Sequence, residues 1–191
     1  MKLIIFLDGD NYPENAIKGI ELLKTGDEVY IYESIAKGGK HFKDKYIEEL
    51  QSKTAAKIDV RFIQTPGKNA TDFAIAIDAG KAIAAAGNEK KAYVVISADH
   101  DFDIMSSELR HSCPDAYCIT RATDIRAVVE KFWLLRVESR EEMVSQLAAF
   151  LPENVAKDAC DNLAEVTRTN STASSYEFQP AVKNKKPWWM R

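Results

Sequence analysis

Cysteine, histidine and net charge are all scarce in this chain, and each scarcity removes a class of function. It has three cysteines (Cys113, Cys118 and Cys160) and three histidines, with no Cys-x-x-Cys pair and no zinc-type spacing. Neither a structural zinc site nor a disulfide framework is expected, and the thiols read as buried groups in a reducing compartment. The formal net charge is only −3. A protein that coats a polyanion is normally basic, so any contact with nucleic acid must be local: a groove, a tail, or a metal that offsets its own carboxylates. No apolar run is long enough to span a bilayer. Residues 2–7 are too few for the apolar core of a secretory signal and run straight into Asp8. A cytoplasmic protein that makes no use of a membrane is the expectation. No internal repeat is visible.

What is present is an alternation of apolar runs and helical stripes. Residues 3–7 and 92–96 are continuous apolar runs, as central parallel strands require. Residues 29–32, 58–63 and 116–119 read as further strands, and 132–137 as a last, edge strand. A helix is expected from Pro13, where proline suits the first helical position and Ile17, Ile20 and Leu23 carry an apolar stripe. Others are expected over 42–50, 71–86 (capped by Thr71 or Asn69), 102–110, and 123–131 (capped by Thr123 or Asp124). Strand–helix alternation at this spacing predicts an α/β fold, with a mostly parallel sheet between two helical layers.

After Glu141 the character changes. Two short helices, 143–151 and 153–166, precede a Thr/Ser/Asn-rich linker over 168–180 and an ending that sets lysines beside Trp188 and Trp189. The expected organisation is an α/β domain over 1–137, a helical extension over 138–167, and a linker with a flexible basic and aromatic tail over 168–191.

Both apolar runs end in acids. Asp8 and Asp10 follow the first; Asp99, Asp101 and Asp103 follow the second. Sites in open parallel sheets form beyond the carboxyl ends of the strands. If the two strands are adjacent, their aspartates meet, and Asp72 at the start of the alanine-rich helix can join them. Such crowding is unfavourable: two unit charges about 4 Å apart repel by roughly 4 kcal/mol at an effective dielectric near 20. A bound Mg²⁺ or Mn²⁺ resolves it, because hard cations take carboxylate oxygens. Against this stands the ordinary role of an aspartate after a strand, which is to cap the next helix.

Three blocks here resemble the NYN domain family of the PIN-like nuclease superfamily. The first is Ile5, Phe6, Leu7, Asp8, Gly9, Asp10, Asn11. The second is Lys68, Asn69, Ala70, Thr71, Asp72, with Asp78 beyond it. The third is Ser97, Ala98, Asp99, His100, Asp101, Phe102. Each block alone is weak; their order and spacing together are fairly specific, and they cover roughly residues 1 to 135. The resemblance implies a PIN-like three-layer αβα sandwich and Mg²⁺- or Mn²⁺-dependent RNA cleavage. It carries acidic, metal-holding roles onto Asp8, Asp72, Asp99 and Asp101, and gives Asn11 a supporting role in catalysis. The chain departs from the family pattern at Ala98, where glycine is usual, and at His100, where serine is common. Neither change removes a carboxylate.

Other residues carry two readings each. Lys68 pairs with a backbone phosphate or is a solvated loop lysine. His100 is a phosphate contact or proton shuttle, or simply faces solvent. Asp10, Asp78 and Asp103 form a second tier. Asp78 lies roughly 120° around a regular helix from Asp72, which suits an outer position, and Asp103 suits a first-turn helix acid. The tail around Trp188 and Trp189 fits single-stranded nucleic acid, a protein partner or an internal latch. The C-terminal helices offer a partner or self-association surface, or pack on their own domain. Two rival functions stay open: a haloacid-dehalogenase-type phosphatase with Asp8 as nucleophile, and a non-catalytic RNA-binding or scaffold module.

Overall fold

An unbroken apolar run suits a strand only where both faces are covered. The computed structural model describes residues 1–11, 15–35, 44–64, 67–87, 90–113, 118–137, 139–148 and 151–172. In it, strand β1 (Lys2–Asp8) is buried at every residue after Lys2. The other strands are β2 (Glu28–Ser34), β3 (Lys57–Ile63), β4 (Lys91–Ile96) and β5 (Cys118–Ala122). All pairings are parallel, and the order is β3-β2-β1-β4-β5. The two apolar runs are therefore neighbours at the centre, with Leu7 opposite Ile96.

Alternation along β1 divides the core. Leu3, Ile5 and Leu7 face a layer that includes α1 (Asp44–Ser52) and α4 (Ile125–Arg136). Ile4 and Phe6 face α2 (Ala70–Ala84) and α3 (Asp101–Ser112). The result is the expected three-layer sandwich with an all-parallel sheet. These elements make up one contact unit, Met1–Arg136; a second unit spans Val137–Arg191.

Two expected elements differ. The stretch read as a helix from Pro13 is not one among the described residues 15–23. It runs as turns, with a single 3₁₀ turn over Ile20–Leu22, and Pro13 itself lies outside the described residues. The cause is competition for carbonyls. Ala16 O accepts from Ile125 N at 3.0 Å and Lys18 O accepts from Arg126 N at 2.7 Å, so these groups satisfy the start of α4 instead of a local helix. Gly19, at φ 91°, permits the approach: a Cβ there would sit 2.7 Å from Arg126 Cα. Residues 132–137 are not an edge strand, because α4 continues through Arg136. Ile125, Val128, Phe132 and Arg136 are all buried at helical spacing, and that period overrides the local apolar run.

Smaller shifts occur. β5 runs to Ala122 rather than ending at 119, and residues 114–117 lie outside the described set. Asp124 does cap α4, accepting from Ala127 N at 2.8 Å. Asn69 takes the cap position of α2 with φ 66° but makes no side-chain cap bond, and the Thr71 hydroxyl is used elsewhere.

In the second unit, α5 (Arg140–Ala148) and α6 (Glu153–Thr172) pack together. Arg140 pairs with Asp161 at 2.7 Å, and Ala156 and Cys160 are buried. α6 continues through 168–172, which the composition reads as linker. Trp188 and Trp189 lie outside the described residues. Among the described residues no helix is long and apolar enough to cross a membrane.

The amino end of the sheet is tied by a buried ion pair. Arg136 donates to both oxygens of Asp27, at 3.0 and 2.6 Å. Asp27 also accepts from Leu3 N and Lys24 N. Both side chains are 3% exposed. Removing one partner leaves a buried charge uncompensated, so Arg136→Ala is expected to cost about 3–5 kcal/mol in urea unfolding of the full chain. A loss under about 1 kcal/mol would show that water replaces the guanidinium.

Candidate active site

The carboxyl ends of β1 and β4 leave the sheet side by side, and their loops are tied together. Ala98 N donates to Asn11 O at 3.2 Å, and Gly9 N donates to Tyr32 O at 2.7 Å. Glycine is required at position 9 by close approach: a Cβ would stand 2.5 Å from Tyr32 O.

Asp8 sits beneath these loops with 0% exposure. Its Oδ1 accepts from the amides of Asp10 and Asn11, both at 3.1 Å. Its Oδ2 accepts from the Ser97 hydroxyl at 2.8 Å. Every one of these donors is neutral. Ser97 Oγ also accepts from Asp99 N at 3.0 Å, so one hydroxyl touches both acidic segments. Asp99 is half-buried, and its Oδ1 accepts from Asp101 N at 2.9 Å; Asp101 is exposed. Asp10 bridges to other elements, accepting from Ser34 N at 3.0 Å and from Thr71 Oγ1 at 2.7 Å. The second bond holds the start of α2, where half-buried Asp72 lies in the first turn.

Asp8, Asp10, Asp99 and Asp101 thus form one hydrogen-bonded string at this end of the sheet, with Asp72 placed through Thr71. All are hard oxygen donors, suited by chemistry to a divalent cation such as Mg²⁺ or Mn²⁺. Asp8 is a buried carboxylate whose partners among the described residues are all neutral, so a nearby ion would offset its charge. The side chains do not yet converge: among the described residues, no three His, Cys, Asp or Glu groups stand close enough to hold one ion together.

The remaining candidates have other partners. Asp78 points to the sheet face, pairing with Arg61 and accepting from Tyr32 OH at 2.9 Å. Arg61 lies over the Tyr30 ring at 4.3 Å. Burial, reinforced by the hydrogen bond to Glu28, pushes the Tyr30 phenol up to about 12. Asp103 pairs with Arg121 at 3.0 Å. Hydrogen bonds from Arg121 first and His100 second hold its carboxyl below the usual range. His100 is exposed, with Nδ1 3.0 Å from Asp103 Oδ2 and 3.0 Å from Arg121 Nη2. Asn11 enters through its backbone, donating to Asp8 and accepting from Ala98. Lys68 is exposed and lines an open groove of about 600 Å³ together with Phe62, Gln64, Phe73 and Ile77. Phe73 is 66% exposed there.

Three residues escaped the sequence reading as site groups. Ser97 carried a signal, a hydroxyl directly after an apolar strand. Glu33 is 1% exposed on β2 and lies beside Gly9; a charged residue inside an apolar run was its signal. Arg121 carried none, because only the pairing of β5 with β4 brings it near the acidic loop.

Ser97→Ala removes a hydrogen bond to a buried carboxylate, so it is expected to lower stability by about 1.5–3 kcal/mol. Urea unfolding with and without Mn²⁺ measures it. No change would mean that water or a rearranged amide takes over the Oδ2 contact.

The PIN domain model matches residues 2–112. No curated protein and no solved structure matches significantly. The matched stretch begins with β1 and ends with α3, so it contains both acidic strand ends and the start of α2. A match over more than half of the chain, on an all-parallel sheet with this acidic edge, shows that the chain belongs to the PIN domain family, whose fold is generally that of metal-dependent nucleases.

Proposed function

We propose that the protein is a metal-dependent endoribonuclease of the NYN type, acting on single-stranded RNA in the cytoplasm. The observation that carries this reading is Asp8: a fully buried carboxylate with neutral partners, joined through one hydroxyl to the loop of Asp99. Asp8 and Asp99, with Asp72 and Asp101, would hold Mg²⁺ or Mn²⁺. When bound, such an ion supplies Lewis acidity and charge neutralisation at the phosphodiester.

The chain's own residues do the rest. The Asp10–Thr71 bond sets α2, and with it Asp72, against the end of β1. The Asn11 amide orients the inner oxygen of Asp8. Lys68 offers a cation to a backbone phosphate, and Phe62 and Phe73 present exposed rings on which unpaired bases stack. His100 faces solvent beside the acids as a further phosphate contact. Free thiols at Cys113 and Cys160 agree with a reducing compartment. The C-terminal helices and the tail with Trp188 and Trp189 are proposed as association surfaces for RNA, a protein partner or a second copy.

The phosphatase alternative has less support. The PIN domain match runs from β1 to α3 and so takes in Asp8, Asp72 and Asp99 together, whereas the phosphatase reading gives the start of α2 no role. A non-catalytic RNA-binding module differs only in outcome.

The test is cleavage of fluorescent single-stranded RNA with Mn²⁺. Asp99→Asn is expected to lower kcat by at least about a hundredfold, the scale of losing one charge-stabilising group, and chelation is expected to abolish turnover. Tight binding without cleavage by the unaltered protein assigns the module instead. Lys68→Ala is expected to raise KM about threefold or more with kcat nearly unchanged, and to reduce the salt slope by about one. An unaltered salt dependence removes Lys68 from the RNA path.

A further inference from the structure

We propose that Arg121 is the positioning residue of the acidic loop, clamping residues 97–103 so that Asp99 and Asp101 stay in register with Asp8. The clamp is read from geometry; its consequence for divalent-ion binding and cleavage rests on the nuclease reading above.

Arg121 lies on β5, opposite Val95 of the strand that launches the loop. Its side chain is only 13% exposed. The guanidinium donates to the loop through two separate groups. Nη1 donates to Ser97 O at 3.0 Å. Nε donates to Asp103 Oδ1 at 3.0 Å. Nη2 stands 3.0 Å from His100 Nδ1. That Nδ1 donates to Asp103 Oδ2 and so does not accept from Nη2; the two hydrogen bonds fall at positions 97 and 103, and so bracket both Asp99 and Asp101. A guanidinium is planar with its donors in a fixed fork. Two hydrogen bonds to one such plane fix the start and the end of the loop relative to one another.

The link to the acids is direct. The residue held by Nη1 is the one whose hydroxyl donates to Asp8 and accepts from Asp99 N. A displaced Ser97 carries the Asp99 amide with it and loosens the turn in which Asp101 N donates to Asp99 Oδ1. A plain surface ion pair with Asp103 is the competing reading and contributes little. It does not account for the bond to a backbone carbonyl, nor for an arginine this buried beside an aspartate that is 52% exposed.

The experiment compares the full chain with Arg121→Met, Arg121→Lys and Asp103→Ala. Amide hydrogen exchange across 97–101 reads the loop without metal or substrate. Mn²⁺ titration by electron paramagnetic resonance and RNA-cleavage kinetics read its consequence. In Arg121→Met, exchange at Asp99 and Asp101 is expected to accelerate about tenfold or more, while Mn²⁺ affinity and kcat fall about tenfold, as for other outer residues that orient metal-holding acids. KM for RNA stays within about twofold because the loss lies in positioning. Arg121→Lys keeps the charge and does not restore slow exchange, since one ammonium cannot reproduce the fixed fork to Ser97 O and Asp103.

Unchanged exchange at Asp99 and Asp101 in Arg121→Met overturns the proposal, as does full restoration by lysine. Should Arg121→Met fail to fold, Asp103→Ala at an exposed side chain reads the same clamp. Faster exchange at 97–101 then supports it, and wild-type exchange overturns it. If exchange accelerates while the unaltered protein neither binds Mn²⁺ nor cleaves RNA, the clamp stands and the nuclease reading falls.

Discussion

A carboxylate taken out of water costs several kcal/mol unless its oxygens are satisfied and its charge is offset. Asp8 meets the first condition with two amides and a hydroxyl; among the described residues no cation meets the second. Much of the upper end of the molecule is arranged around those three bonds. The amides come from a turn that only glycine at position 9 allows to press against Tyr32 O. The hydroxyl comes from the neighbouring strand, which must run parallel and in register for Ser97 to arrive there. Substrate chemistry, on the reading advanced here, uses an electrostatic debt that the fold leaves open at this point.

The two ends of the sheet handle buried charge in opposite ways. At the amino end, Asp27 is closed off by a two-pronged guanidinium and two amides. Both oxygens of that carboxylate are hydrogen-bonded and its charge is paired. At the carboxyl end Arg121 goes to a carbonyl and to Asp103. On the sheet face between them, Asp78 is neutralised by Arg61. Three aspartates that look alike in the sequence thus differ in whether a cation has already been assigned to them.

That difference also marks how far the sequence could be read. The central pairing of β1 with β4 was legible, because two unbroken apolar runs have few places to go except the middle of a sheet. The acids after them followed. Asp78 was singled out by its place in a motif, and nothing local told that Arg61, seventeen positions away, would reach it. Arg121 is the clearest gap: its partners at 97 and 103 become neighbours only once β5 pairs beside β4. The two misread elements fail for the same reason. Ala16 and Lys18 give their carbonyls to α4, and 132–136 keep a helical period set by Ile125 and Val128. Both outcomes depend on a distant packing partner rather than on propensity.

The segment that matches the family ends at residue 112, yet the inner layer is finished by α4. Ile125, Val128 and Phe132 cover the same side of the sheet as Leu3, Ile5 and Leu7, and Arg136 meets Asp27 across 109 positions of chain. A ribosome that has released only the matched stretch would therefore hold a half-roofed sheet with an uncompensated acid at its base. Closing so long a loop is slow, because its entropy must be spent before the contact returns anything. Productive folding of this unit is thus a late event in synthesis, set by the emergence of its final helix.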